Sequence, residues 1–310
     1  MIVSFTLICA LLLDILFGEA RRFHPLIVFG HCAKKLQKQL NHGSKKNRFV
    51  AGIIAWILLV LPVPLFYYWL QSFLPYYIVL VMDIYIVYWA VALNSLNQHA
   101  LQIYRPLVKK DLKKAQHYCA YIVSRETSEL DAQAISRATT ESILENGHDA
   151  VTATLIYFVI GGAPLVIIHR LSNTLDAMWG YRTEQYDYFG KFSARMDDIL
   201  GFVSGKITAL LFACVGFFNG RTVNAIINAY QQSKQYKSHN GGWVMASGAT
   251  VLNVRLGGKS HYFGKTVFSP QLGEGAMVSI KHIKTSLTLV KQATWLFIIF
   301  VFGYEISFLL

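Results

Sequence analysis

Three carboxylates recur at helical spacing near the middle of the chain. Glu145 follows Glu141 by four residues and Asp149 follows Glu145 by four, so a helix places all three on one face. We expect that helix to begin near Ser128, with Asp131 as a second candidate N-cap. Neighbouring carboxylates can hold Mg²⁺ together with water and the phosphate oxygens of a substrate. The alternative is an ordinary solvated helix face with ion pairs along it.

A second group of polar and charged residues lies between two apolar stretches. Its members are Asn173, Asp176, Arg182, Arg195, Asp197 and Asp198. Arginine is suited to bidentate binding of a phosphate or a carboxylate, because its guanidinium presents a planar fork of donors. The group therefore predicts an anion-binding site. The alternative is a salt-bridged loop at a membrane surface.

Glycine-rich turns with basic neighbours form a third group, at residues 238–243, 255–258 and 262–264, and they include Asn240 and Arg255. Backbone N–H groups in such turns can bind phosphate, although ordinary turns have the same composition. A complete P-loop, a G-x-S-x-G motif and an H-E-x-x-H motif are all missing from the sequence. His24 precedes Pro25, where a histidine that caps a turn is the simplest interpretation.

Apolar segments must position these polar groups. Of the 310 residues, 54% are hydrophobic and 15% are charged, whereas soluble domains carry about 25% charged residues. The fold class predicted is all-α, a polytopic helical membrane protein with four clear spans at residues 2–17, 50–70, 76–96 and 293–310. Asp14 and Asp83 fall inside spans, where an acid is either functional or paired within the bundle.

Two further apolar stretches, residues 151–171 and 199–218, either span the membrane or are re-entrant. Residues 161–164, Gly-Gly-Ala-Pro, should break the first stretch. Lys206 lies within the second, where a charge is costly unless it reaches an interface or a cavity. We favour re-entrant helices, because they would keep all the long polar segments on one side of the membrane.

The net charge of +12 is best explained by basic loops retained in the cytoplasm, and nucleic acid binding is not predicted. Residues 18–49, which include Arg21 and Arg22, and residues 97–149 are basic, whereas the turn at 71–75 is uncharged. The N-terminus is therefore predicted to be periplasmic, and the polar segments 97–149 and 219–292 cytoplasmic, within one integral membrane domain. The four cysteines form no C-x-x-C pair, which argues against a disulfide scaffold or a zinc site.

At these residues the chain resembles the CobD/CbiB family, the membrane enzymes called adenosylcobinamide-phosphate synthases, over nearly its whole length. The matching motifs are Asp14, Gly18, His24-Pro25 and Gly30, residues 124–127 with Leu130-Asp131, Glu141-Ser142 and Glu145-Asn146 with Asp149, residues 161–164, 173–176 and 180–182, Phe189-Gly190, Arg195 and Asp197-Asp198. The combination is far more specific than any single motif in it.

The resemblance implies ATP-dependent formation of an amide. The carboxylate of adenosylcobyric acid would be joined to the amine of (R)-1-amino-2-propanol or of its O-phosphate, with ATP as co-substrate and Mg²⁺ as cofactor. The implied partners are the corrinoid and amino-alcohol substrates and the lipid of the cell inner membrane. The sequence leaves open whether the protein forms a homo-oligomer.

The resemblance also implies roles for individual residues. The metal would be held by Glu141, Glu145 and Asp149. The catalytic acids, as a base or a second metal ligand, would be Asp176, Asp197 and Asp198. Substrate or phosphate would be bound by His24, Arg125, Asn146, Asn173, Arg182, Arg195, Asn240 and Arg255.

The chain departs from the family pattern at several positions. Glu126 replaces an aspartate, residues 203–206 (Val-Ser-Gly-Lys) replace Ile-Pro-Ala-Arg, and residues 238–242 (Ser-His-Asn-Gly-Gly) replace Ser-Pro-Asn-Ala-Gly. Two alternatives follow. One is a diverged ligase that uses another carboxylate and amine, and the other is a non-catalytic regulatory membrane protein similar to AmpE, a distant relative of the family.

Overall fold

The structure is a computed structural model that describes residues 1–19, 24–262 and 265–308. Arg21 and Arg22 of the predicted basic loop, and Phe263 and Gly264 of the predicted turn, lie outside the described residues. The chain divides into two compact units. Unit 1 comprises residues 1–92, 153–201 and 301–310, and unit 2 comprises residues 93–152 and 202–300. The single integral domain stays a prediction, and each unit is described by itself below.

Helices make up most of the described chain. In order they are α1 (Ile2–Phe17), α2 (Pro25–Leu40), α3 (Lys45–Val60), α4 (Pro62–Leu70), α5 (Tyr76–Ala90), α6 (Leu93–Val108), α7 (Leu112–Cys119), α8 (Ala132–Gly147), α9 (Ala153–Trp179), α10 (Lys191–Val215), α11 (Thr222–Gln232), α12 (His239–Val251) and α13 (Lys281–Ser307). A π-helical turn, His148–Thr152, separates α8 from α9. The strands are β1 (Val254–Tyr262), β2 (Lys265–Gly273) and β3 (Ala276–Met277).

Five helical stretches of the described chain are long and apolar enough to cross a membrane. They are Lys45–Phe73, Tyr76–Val108, Ala132–Trp179, Lys191–Asn219 and Lys281–Ser307, and the shorter Ile2–Phe17 is also apolar. These stretches contain the predicted spans at 2–17, 50–70 and 76–96, the span at 293–310 as far as residue 307, and both ambiguous stretches. Residues 309 and 310 of the last predicted span lie outside the described residues. The prediction of a polytopic helical membrane protein is confirmed. The preference for re-entrant helices at 151–171 and 199–218, and the orientation in the membrane, stay predictions.

Helix α9 is interrupted where the sequence predicted a break. Gly162 has φ +64° and ψ −163°, a backbone conformation that glycine adopts readily because it has no Cβ. Pro164 follows two residues later and cannot donate a backbone hydrogen bond. The break lies N-terminal to the part of α9 that carries Asn173 and Asp176.

Helix α8 begins later than predicted. Asp131 is its N-cap, and the Asp131 carboxylate accepts a hydrogen bond of 2.7 Å from the backbone N–H of Ala134. Of the two N-cap candidates, Asp131 is confirmed, whereas the predicted start near Ser128 was wrong because the Asp131 cap defines the first turn. The helix then passes into the π-helical turn His148–Thr152, which carries Asp149.

Unit 2 contains a three-stranded sheet that was not predicted, in strand order β2-β1-β3. Strands β1 and β2 form an antiparallel hairpin, and β3 pairs with β1 in parallel. The register of the hairpin shifts between Leu256 and Gly258, which is a bulge. The glycines and the bulge hide the alternation by which a strand is usually recognised in a sequence.

The two acids predicted inside spans both lie in unit 1, where Asp83 is partly buried. The Tyr67 hydroxyl donates a hydrogen bond of 2.5 Å to the Asp83 carboxylate, and Asp14 is buried. The contact with Tyr67 therefore supports the interpretation that Asp83 is paired within the bundle. A third acid, Glu305 of α13, accepts the backbone N–H groups of Val3 and Ser4 at 2.9 and 3.1 Å and caps the start of α1.

Candidate active-site clusters

A charged cavity of about 330 Å³ lies in unit 1 between the end of α9 and the first turns of α10. We call it the arginine cavity. Its lining is Trp179, Gly180, Tyr181, Arg182, Tyr186, Asp187, Gly190, Lys191, Ala194, Arg195 and Asp198. Three residues predicted from the sequence, Arg182, Arg195 and Asp198, are thus brought together. Asp187 and Lys191 were not predicted, and the only signal for them was their position between the two arginines.

Local structure explains the convergence on this cavity. Arg195 and Asp198 lie three residues apart on α10 and so share a face of the helix. Arg182 comes from the loop before α10, and both arginines interact electrostatically with Asp198. Three cations, with Lys191 as the third, face one small cavity. Such a site suits an anionic group such as a phosphate or a carboxylate.

Three other predicted residues of unit 1 are not in the cavity lining. The Asn173 amide donates a hydrogen bond of 3.2 Å to the Asp197 carboxylate, which links α9 to α10. Asp176 lies against Gly180, where an added Cβ would be 2.1 Å from the Asp176 Oδ1 atom. Asp176 and Asp197 therefore shape the elements that flank the cavity, whereas Asp198 lines it.

Unit 2 holds the predicted acid cluster, in which Glu141 is buried and has a partner at each oxygen. Arg125 donates to Oε2 at 2.6 Å, and the backbone N–H of Gly257 in β1 donates to Oε1 at 2.8 Å. A buried carboxylate with both oxygens hydrogen-bonded is satisfied without a metal. Glu141 thus joins Arg125 to the bulge of β1, and its predicted role as a metal ligand gains no support from this geometry.

Glu145 is partly buried and faces the N-terminus of α12. A Cβ added to Gly241 would be 3.0 Å from the Glu145 Oε1 atom. Ser238 caps α12 by accepting the backbone N–H of Gly241 at 3.2 Å. The positive end of the helix dipole favours a carboxylate at this position. The predicted glycine-rich turn and the predicted acid therefore meet, and Lys237 also acts on Glu145 electrostatically.

Asp149 lies one turn beyond Glu145, and the two carboxylates are close enough to repel each other. The Asp149 Oδ1 atom is 2.7 Å from the His148 Nδ1 atom. Among residues 1–19, 24–262 and 265–308, no group of three or more His, Cys, Asp or Glu side chains is arranged to hold a metal ion. Mg²⁺ is usually bound by one or two carboxylates plus water and substrate phosphate. The pair Glu145 and Asp149 fits that donor set.

The remaining predicted residues of unit 2 have less specific positions. The exposed Asn146 donates from Nδ2 to the carbonyl oxygen of Ser142 at 2.9 Å, so it folds back on α8. Arg255 is exposed on β1. Asn240 is partly buried, and its Cβ lies 3.6 Å from where a Cβ on Gly205 would be. Substrate binding by these three residues stays a prediction.

His24 of unit 1 caps a helix. Its Nδ1 atom accepts the backbone N–H of Leu26 at 3.2 Å, at the start of α2. Its ring packs edge-on against Trp89 and lines an apolar cavity of about 310 Å³ that Arg170 also borders. Burial lowers the pKa of His24, and the nearby Glu19 opposes that shift. The capping interpretation is therefore confirmed, and substrate binding by His24 stays a prediction.

The four cysteines are free thiols. Cys119 is buried beneath the Arg125 and Glu141 pair, and burial raises the pKa of its thiol to about 11. A thiol of that pKa is almost entirely protonated near neutrality and is therefore unreactive. Cys32 and Cys214 are exposed.

Comparison with known proteins gives a consistent result. The sequence model of the family described as CobD/Cbib protein matches residues 7–290. A relative from Stutzerimonas stutzeri named Cobalamin biosynthesis protein CobD is 42% identical over 306 residues, covering 98% of this chain and 99% of the relative. A protein of the same name from Chromobacterium violaceum is 39% identical over 93% of this chain and 92% of its own length.

An archaeal relative extends the range of the similarity. The Probable cobalamin biosynthesis protein CobD of Pyrococcus furiosus is 38% identical over 258 residues, which cover 83% of this chain and 86% of that protein. No solved structure matches the chain.

Proposed function

We propose that this chain, which belongs to the CobD/CbiB family of cobalamin biosynthesis, is an ATP-dependent amide ligase. It would join the carboxylate of adenosylcobyric acid to the amine of (R)-1-amino-2-propanol or its O-phosphate, giving adenosylcobinamide or its phosphate. Family membership supports the pathway. The polar clusters of the two units support the chemistry, as argued below.

A carboxylate and an amine do not condense at useful rates in water, so one of them must be activated. In the proposed reaction the substrate carboxylate oxygen attacks the γ-phosphorus of ATP, which forms an acyl phosphate and releases ADP. The ammonium group of the amino alcohol loses a proton to a base, and the resulting amine attacks the acyl carbon. The carbon–oxygen bond to phosphate breaks, and inorganic phosphate leaves as the amide forms.

The observation that carries this proposal is the Glu145 and Asp149 pair in unit 2. Two carboxylates that repel each other at a partly buried position are costly to stability, and such arrangements concentrate at functional sites. A regulatory protein without catalysis has no need for that cost. When bound there, Mg²⁺ would offset the negative charge of substrate phosphates. The N-terminus of α12 supplies further positive potential beside Glu145.

The arginine cavity is the proposed binding site for an anionic group of a substrate. Arg182 and Arg195 can each donate two hydrogen bonds to a phosphate or a carboxylate, and Lys191 adds a third positive charge. Asp198 lines the same cavity. Of the three acids considered as the base that deprotonates the ammonium, it is the one that we favour, because Asp176 and Asp197 do not line it.

Complementation is the direct test of the proposed function. A strain that lacks the synthase and depends on cobyric acid should grow when it expresses this chain, and membranes should form cobinamide in an ATP-dependent way by mass spectrometry. Glu145→Gln should lower the rate by at least about 100-fold. The matched control is Glu129→Gln, which changes an exposed glutamate. A well-expressed protein that fails to complement would contradict the assignment.

A diverged ligase with another carboxylate or amine is the second candidate. Two departures from the family pattern, Lys206 and His239, both pack on Phe202 in unit 2. The Lys206 ammonium lies 3.2 Å from the centre of the Phe202 ring, and the His239 ring stacks at 6.5 Å. These two departures from the family pattern therefore lie at the same place in unit 2. ATP turnover in membranes that responds to a carboxylate other than adenosylcobyric acid would favour this candidate.

A further inference from the structure

A series of close polar contacts in unit 2 leads from Ser204 through His148 to Asp149. The His148 Nε2 atom is 2.9 Å from the Ser204 hydroxyl of α10. The His148 Nδ1 atom is 2.7 Å from the Asp149 Oδ1 atom. Both ring nitrogens of His148 are therefore engaged, so the plane of the imidazole is fixed at both ends. Neither His148 nor Ser204 was singled out as a site residue from the sequence.

Solvent exposure increases along these contacts, from Ser204 through His148 to Asp149. Ser204 is fully buried and His148 is 2% exposed, whereas the Asp149 side chain is 29% exposed. A substrate cannot reach the Ser204 hydroxyl, which excludes it as a nucleophile even though Ser, His and Asp are the residues of a hydrolase triad. Of these three side chains, Asp149 is the one that a ligand can approach.

The same two elements form a second polar contact that does not reach an acid. The hydroxyl oxygens of Thr152 and Thr208 are 2.6 Å apart. Both pairs, His148 with Ser204 and Thr152 with Thr208, therefore join the π-helical turn to α10 at a four-residue spacing. Polar contacts between helices of this kind stabilise membrane proteins. The Thr152–Thr208 contact is a matched reference for a purely structural role.

We propose that His148, clamped by Ser204, is a positioning residue that orients the Asp149 carboxylate toward a divalent cation. A carboxylate on a short side chain can still rotate, and a hydrogen bond to one of its oxygens restricts that rotation. Partners that hold a ligating carboxylate from outside the metal's own shell typically matter by about 10-fold to 100-fold in metal affinity or activity. This proposal rests on the role given to Asp149 in the proposed function.

The test measures binding of Mn²⁺, a paramagnetic substitute for Mg²⁺, in the presence of ADP by electron paramagnetic resonance on the full chain in nanodiscs. His148→Leu removes both hydrogen bonds at similar volume, and it should weaken Mn²⁺ binding by about 10-fold to 100-fold. Ser204→Ala should weaken binding less, because the Asp149 contact survives. His148→Asn, whose amide can replace the Nδ1 donor, should restore most of the affinity.

Thr208→Val is the matched control, because it removes the other contact between the same elements at constant volume. It should lower thermal stability about as much as Ser204→Ala and leave Mn²⁺ affinity unchanged. In an Asp149→Asn background, His148→Leu should change Mn²⁺ affinity by less than about twofold, since coupled residues are not additive. Asp149→Asn alone should weaken Mn²⁺ binding.

Several results would overturn the positioning role. They are an unchanged Mn²⁺ affinity in His148→Leu or in Asp149→Asn, an equal loss in Thr208→Val, or an equal effect of His148→Leu with and without Asp149. The ligase assignment fails separately. A protein whose Mn²⁺ binding depends on His148 through Asp149 but that makes no amide would keep the positioning role and lose the ligase.

Discussion

Glu141 and Arg125 illustrate how the environment of a residue decides its use. Glu141 is buried and Arg125 is partly buried, and the two form an ion pair at 2.6 Å. The backbone N–H of Gly257 donates a hydrogen bond to the other oxygen of the Glu141 carboxylate. Glu145, one turn along α8, faces the N-terminus of α12 instead. Two glutamates four residues apart are therefore assigned different tasks, one structural and one proposed for catalysis.

Breaking the buried pair should destabilise unit 2. Arg125→Ala leaves the Glu141 carboxylate buried without its charge partner, which should cost about 3–5 kcal/mol of unfolding free energy. Thermal unfolding in detergent measures the loss, with the exposed Glu129→Gln as the control. The Cys119 thiol beneath the pair should become reactive to maleimide in the variant. An unreactive Cys119 together with unchanged stability would contradict the structural role.

Gly241 should be sensitive to the smallest possible substitution. In Gly241→Ala the new Cβ would lie 3.0 Å from the Glu145 Oε1 atom and would displace that carboxylate. Displacement of a reacting group by a fraction of an ångström can reduce the rate by about 10-fold to 100-fold. The control is Gly303→Ala in α13, where nothing lies within 4 Å of the new atom. Equal activity of the two variants would argue against a role for Glu145.

At the scale of elements, the loop before α10 is held by a helix of the same unit. Arg48 of α3 donates from Nη2 to the carbonyl oxygen of Glu184 at 2.7 Å and also to that of Gln185. Asn41 donates to the Gln185 carbonyl at 2.9 Å. These bonds fix the backbone just after Arg182. The geometry of the arginine cavity therefore depends on α3 as well as on α10.

Removing this support should weaken substrate binding without touching the cavity lining. Arg48→Ala should raise KM for the substrate that occupies the cavity by about tenfold and change kcat little, because a loosened loop mainly loses uniform binding. Hydrogen exchange at residues 181–190 should increase in parallel. Lys46→Ala, an exposed neighbour on α3, is the control. Faster exchange with an unchanged KM would separate the loop from substrate binding.

For the whole molecule, the membrane helices are established by length and composition, whereas their orientation stays predicted. The charge pattern predicts a periplasmic turn at 71–75 and cytoplasmic long polar segments. A re-entrant path for residues 151–171 and 199–218 would put the arginine cavity on the cytoplasmic side as well. ATP is cytoplasmic, so the proposed function requires that side for an ATP-dependent site.

Cysteine labelling in a cysteine-free background tests this arrangement. Tyr181→Cys, at an exposed position of the cavity loop, should react with a membrane-impermeant maleimide only in inverted vesicles. Ser72→Cys, in the uncharged turn, should react only from the periplasmic side of intact cells. Periplasmic labelling at position 181 would mean that residues 151–171 span the membrane, and it would exclude the arginine cavity as a cytoplasmic substrate site.

The sequence by itself determined the features that depend on a few adjacent residues. Apolar length predicted the membrane helices, residues 161–164 predicted the break in α9, and the acid before Ala132 predicted the N-cap of α8. The family motifs also predicted that the acids and arginines of both clusters are site residues. Each of these signals is local, or is a pattern of residue types, so it can be read without knowing which segments pack together.

Only the tertiary structure decided how those residues are used. The Glu141 contact with Gly257 joins positions 116 residues apart, and the His148 contact with Ser204 joins positions 56 residues apart. Which oxygen meets which donor depends on how the helices and the sheet of unit 2 pack, and residue spacing carries no record of that. The separation of a structural Glu141 from Glu145 and Asp149 therefore came from packing and not from spacing.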